Sequence, residues 1–86
     1  MDNVSAYCEF EDGRVQTLLK FDLFTVCNRL CNQYSKMSDV KRLFMTDSFD
    51  CIIFEWYAER GVTFPEKGML DSDSWERVNA YFPPRS

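Results

Sequence analysis

The chain has 86 residues, 45% of them hydrophobic and 16% aromatic, enough for one folded domain over residues 1–86 and too apolar for a disordered tail. Fourteen acids against ten bases leave a net charge of −4, which disfavours a binder of phosphate backbones because such binders need a clustered basic face. Not one histidine occurs, so the usual general base and commonest metal ligand is missing, and serine or cysteine triads and most zinc hydrolase sites lose a standard part.

Val4, Ala6, Cys8 and Phe10 alternate with Ser5, Tyr7, Glu9 and Glu11, the period of a half-buried strand. Asp12-Gly13 then reads as a two-residue hairpin turn, with a return strand from Arg14 to Phe21 whose Val15, Thr17, Leu19 and Phe21 lie on one face. Asp22 is placed to cap a helix, with Phe21 and Val26 as a hydrophobic staple. Leu23, Val26, Cys27, Leu30, Cys31 and Tyr34 form one apolar stripe along that helix. Val40–Thr46 reads as a third strand, although Ser38-Asp39 also suits a short helix. Cys51–Ala58, β-branched and aromatic, is expected as a central strand covered on both faces. Residues 61–70 read as a loop. A second helix carries Trp75, Val78 and Phe82, has several candidate N-caps in Asp71-Ser72-Asp73-Ser74, where Asp73 with Glu76 resembles a capping box, and stops at Pro83-Pro84. The expected fold is α+β, a two-layer sandwich of order β-β-α-β-β-α with an antiparallel sheet.

Four cysteines invite a zinc reading. Cys27 and Cys31 stand four apart on a helix, Cys8 faces inward, and Cys51 opens a strand. Structural zinc sites, however, take pairs two to four residues apart on knuckle turns. Free thiols behave as small buried hydrophobes, so all four are expected in the core with no metal and no cofactor. A catalytic thiol would need a histidine, a helix N-terminus or nearby cations to lower its pKa, and Cys27 and Cys31 sit mid-helix. The three glycines, Gly13, Gly61 and Gly68, stand too far apart for a phosphate-cradling loop. The acids at the second helix start serve capping and the helix dipole. The total charge is too small for a dedicated DNA mimic.

The aromatics exceed what one small core holds. Tyr7 lies on the outer face of its strand, Phe24 lies off the helix stripe and Phe49 lies on a turn. Together with Glu9, Glu11 and Asp12 they form the candidate partner-binding set, since aromatics beside charges are typical of interface hot spots. The expectation is a non-enzymatic protein-binding module, an inhibitor or regulator in contact with a partner of basic surface, such as a nucleic-acid-processing protein. In size and character it is like host-defence antagonists of bacteriophages and mobile elements, anti-CRISPR proteins among them. The alternatives are an assembly module forming a homo-oligomer and a cysteine-zinc protein. The start Met1-Asp2-Asn3-Val4 lacks the basic and apolar run of a secretory signal. No stretch approaches the ~20 apolar residues of a membrane span. A cytoplasmic chain with reduced thiols is therefore expected.

Overall fold

The computed structural model describes residues 3–66 and 68–84, and within them every side chain except those of Leu19, Lys20, Phe21 and Phe24. Five strands, β1 (Asn3–Phe10), β2 (Val15–Asp22), β3 (Val40–Thr46), β4 (Ile52–Tyr57) and β5 (Gly61–Phe64), form one antiparallel sheet of order β2-β1-β3-β4-β5. Helices α1 (Leu23–Asn32) and α2 (Ser72–Tyr81), with a 3-10 turn at Tyr34–Lys36, complete an α+β domain of two layers. The segment after Tyr57 adds a fifth strand where a loop was expected. Gly61, at a φ of +85°, lets the chain turn straight back from β4 into β5.

The β1–β2 hairpin holds an instructive correction. The Phe10 carbonyl accepts from Gly13 N at 3.0 Å, and Phe10 N donates to the Arg14 carbonyl at 2.9 Å. The loop therefore has three residues, Glu11-Asp12-Gly13, with Gly13 at a φ of +92°. One extra loop residue moves the register by one and turns every following side chain over. Gln16 and Leu18 face the helices beside Cys8 and Ala6, while Val15 and Thr17 pair with Glu9 and Tyr7 on the opposite face. A register shift between Val4 and Ala6 then brings Phe21 opposite Val4.

Two cross-strand rows build the inner face: Leu18, Ala6, Met45 and Phe54, then Gln16, Cys8, Leu43, Trp56 and Val62. All but Gln16 are buried, and Leu43 and Trp56 are inaccessible to solvent. Over them α1 lays Val26 and Leu30, also fully buried, and the 3-10 turn adds Tyr34, whose hydroxyl accepts from Gln16 Nε2 at 2.9 Å. Asp22 does cap α1, accepting from Thr25 N at 3.0 Å and Thr25 Oγ1 at 2.6 Å. Its expected staple partner Phe21 lies outside the described side chains. Leu23, expected on the apolar stripe, is exposed at the first turn.

Helix α2 is held more lightly. Its cap is Asp71, one of the candidates in Asp71–Ser74, which accepts from Ser74 N at 2.7 Å, while the capping box suggested by Asp73 and Glu76 is not the cap that forms. Trp75 and Val78 are half-buried, and Phe82 beyond the helix is buried against Phe54 with ring centres 4.8 Å apart. Trp56 Nε1 donates to the Phe82 carbonyl at 3.1 Å, tying the end of the chain to the middle of β4. No helix among the described residues is long and apolar enough to cross a membrane.

Candidate functional site: the uncovered sheet face

Both helices lie on one side of the sheet, and the strands alternate, so the other side carries what Tyr7 and Glu9 of β1 and Arg42 and Phe44 of β3 supply. That side is not sealed. Strand β4, expected in the centre and covered on both faces, is the fourth of five strands, and its Ile53, Glu55 and Tyr57 are half-exposed. Cross-strand pairing sets Thr17, Tyr7, Phe44 and Glu55 in one row and Val15, Glu9, Arg42 and Tyr57 in the next.

Tyr7 and Phe44 stack at 4.8 Å with planes 17° apart. The Arg42 guanidinium lies 4.2 Å from the centre of the Phe44 ring and 5.6 Å from that of Tyr57, so one cation spans both aromatics. Arg42 also donates through Nε to Glu55 Oε2 at 2.9 Å and through Nη2 to the same oxygen. Glu9 stands on its other side, 3.7 Å from Arg42 and 3.7 Å from Lys41. Thr63 Oγ1 donates to the second oxygen of Glu55 at 3.0 Å and fixes that carboxylate from β5. Burial works against the Arg42 cation, but the bond and charge of Glu55, with Glu9 and Tyr57 behind, outweigh it and hold its pKa above the ordinary value. The result is a flat, pre-set surface of two stacked rings, a shared guanidinium and two carboxylates.

Of the sequence-derived candidates, Tyr7 and Glu9 belong to this surface. Glu11 and Asp12 sit at the hairpin tip beyond it. Glu11 borders a cleft of about 520 Å³ with Lys36, Ser38, Lys41, Tyr57 and Glu59. Asp12 is exposed and accepts from Arg14 N at 3.0 Å and Arg14 Nε at 2.7 Å, bonds that hold its carboxyl below the usual range. Phe49 is 84% exposed on the β3–β4 turn, at the opposite end of the sheet from the β1–β2 hairpin tip. Its turn is tied by Asp47 Oδ1, which accepts from Phe49 N at 2.9 Å and Cys51 N at 3.0 Å. Phe24 is helical, but its side chain lies outside the described ones.

Arg42, Phe44, Glu55 and Tyr57 were not among those candidates. For Arg42 and Phe44 the signal was the alternation of Val40–Thr46, which sets them on the face opposite Leu43 and Met45 once that stretch is taken as a strand.

The cysteines divide rather than converge. Cys8 is buried, Cys27 and Cys31 are half-buried along a cleft of about 450 Å³ between α1 and α2, and Cys51 is exposed, which corrects the expectation of four core thiols. Burial, with Cys31 nearby, pushes the Cys27 thiol up. Among the described residues no three metal-ligating side chains come together. No protein family, no curated protein and no solved structure matches the chain.

Proposed function

We propose that the protein is a non-enzymatic binding module that inhibits or regulates a partner protein of basic surface through the uncovered face of its sheet. The observation that carries this reading is the Tyr7–Phe44 stack, left half-exposed and locked by Arg42, Glu55 and Glu9. Residues held by strands and by one another lose little entropy on docking, so contact area there converts well into affinity. The stacked rings supply area to desolvate, and the net charge of −4 favours a basic partner by steering its approach.

The test begins with capture from a native extract on the immobilised chain, followed by binding kinetics with the purified partner. Tyr7→Ala should raise the off-rate by a factor of about thirty, the scale of a hot-spot aromatic. Glu9→Lys should instead slow association, most at low salt. A captured partner whose rates ignore both changes while circular dichroism shows an intact fold would refute the assignment of this face.

A further inference from the structure

The side chains of the uncovered face stand in file across the sheet. Tyr7 stacks on one face of the Phe44 ring, and the Arg42 guanidinium lies over the other, 4.2 Å from its centre. Tyr57 follows, its ring centre 5.6 Å from Arg42, and the Arg60 guanidinium stands 6.0 Å beyond that centre. Rings and planar cations thus fill successive places from β1 to the β4–β5 turn. At the β2 end the file stops on a ring. Cross-strand pairing puts Thr17 beside Tyr7 on the side away from Phe44, and Val15 beside Glu9. Thr17 and Val15 are short and exposed, and Tyr7 stays half-exposed. The Tyr7 plane lies within 17° of that of Phe44, so its second face looks over Thr17 toward solvent.

A carboxylate stands next to that ring face. Glu9 is two residues along β1 from Tyr7 and diagonal to Thr17, within reach of a long side chain laid there. It is half-buried, and Lys41 and Arg42 approach its oxygens only to 3.7 Å. That separation is beyond hydrogen-bond range, so Glu9 still has acceptor positions to offer. Arg14, the cation just ahead of β2, does not fill the place. Asp12 and Asp39 hold it, with its guanidinium 4.5 Å from the centre of the Phe10 ring.

We propose that the outer face of Tyr7, with Glu9 beside it, is a socket for one arginine of the basic partner, a role that rests on the uncovered face being the binding surface. The face of an aromatic ring attracts a cation, and a guanidinium laid on Tyr7 repeats the contact that Arg42 makes with Phe44. From that stacked position its fork of N–H donors reaches Glu9 and uses the lone pairs that Lys41 and Arg42 leave unbonded. Lysine suits the socket less well, because a compact and strongly hydrated ammonium does not lie flat on a ring while donating sideways. Thr17 contributes by being small, since a longer side chain there would occupy the place itself.

Titration of the full chain with hexa-arginine and with hexa-lysine, peptides of equal charge at the same salt, followed by nuclear magnetic resonance, tests this. Hexa-arginine should shift the Tyr7 ring and Glu9 side-chain signals saturably and bind at least about threefold more tightly than hexa-lysine. Tyr7→Leu, which leaves the charge unchanged, should erase the preference, and Glu9→Gln should narrow it even if the leucine variant fails to fold. No saturable binding, equal affinity for the two peptides, shifts that bypass Tyr7 and Glu9, or a preference kept in full by a folded variant each overturn the socket. None of these outcomes decides the wider reading of the face, which fails separately if a captured partner ignores Tyr7→Ala.

Discussion

The Arg42–Glu55 pair offers the sharpest test of why charges stand on this face at all. Their side chains retain 22% and 19% of their accessibility, and the Nε to Oε2 distance is 2.9 Å. At an effective dielectric of about 20 the gross attraction is about 6 kcal/mol, most of which desolvation cancels. Removing one partner strands the other in a mostly dry site, so Arg42→Met should cost about 2–3 kcal/mol, allowing for the residual water. Glu55→Leu should cost about 2 kcal/mol, since Arg42 keeps Glu9 and both rings. Replacing both leaves no orphan, and the double variant should lie within about 1 kcal/mol of the parent. Urea unfolding followed by tryptophan emission, from Trp56, inaccessible in the native state, and half-buried Trp75, measures all four corners of the cycle. Single effects that simply add, to within about 0.5 kcal/mol, would show that the pair is solvated and the geometry argument mistaken. A double variant as stable as the parent would mean that folding does not demand these charges, which leaves recognition as their use.

The cysteines should label in order of exposure, Cys51 at once, Cys27 and Cys31 slowly, and Cys8 only on unfolding; equal rates under native conditions would contradict the packing. Cys31→Ser should cost less than about 1 kcal/mol, because the thiol is half-buried and already lies 3.3 Å from the Tyr81 carbonyl, to which a hydroxyl can donate; a large loss in thermal unfolding would place the group in dry core. The Asp71 carboxyl is held low by its bonds from Ser74, so its cap is complete above the ordinary carboxylate pKa and is lost as pH falls through the folded value. Exchange of the Ser74 amide should accelerate, relative to its intrinsic acid-pH rate, below pH ~4, and an unchanged protection factor down to pH ~2 would remove the cap's role.

What could be read from the residues was local. Alternation from Val4 to Phe10, Gly13 at a turn, and Asp22 ahead of an apolar stripe each depend on neighbours a few positions away, and each element stands where it was expected. The faces were harder. Val15 and Thr17 changed sides because the loop has three residues rather than two, and Asp-Gly serves both turns. The shift between Val4 and Ala6 is no more visible, since a bulge answers to packing across strands. Residues 61–64 carry two β-branched residues but begin with a glycine and precede a proline, punctuation that suited a loop equally well. The site depends on the longest contacts of all. Arg42 meets Glu9 and Glu55 only because β3 lies between β1 and β4, an order settled by where α1 returns the chain.

The same order explains how so aromatic a face stays presentable to water. With both helices on the inner side, Phe44, Tyr7 and Tyr57 have no second layer above them. Arg42 takes its place: its stem and guanidinium lie over Phe44 and reach Tyr57, while Glu55 and Glu9 hold the charge in position. A guanidinium is weakly hydrated and stacks flat, so it covers rings at less desolvation cost than a lysine would. Such a lid differs from an apolar one in a way that matters for docking. A helix would have to be displaced before the rings could touch another molecule, whereas Arg42 offers spare N–H groups to an incoming acceptor without leaving Phe44.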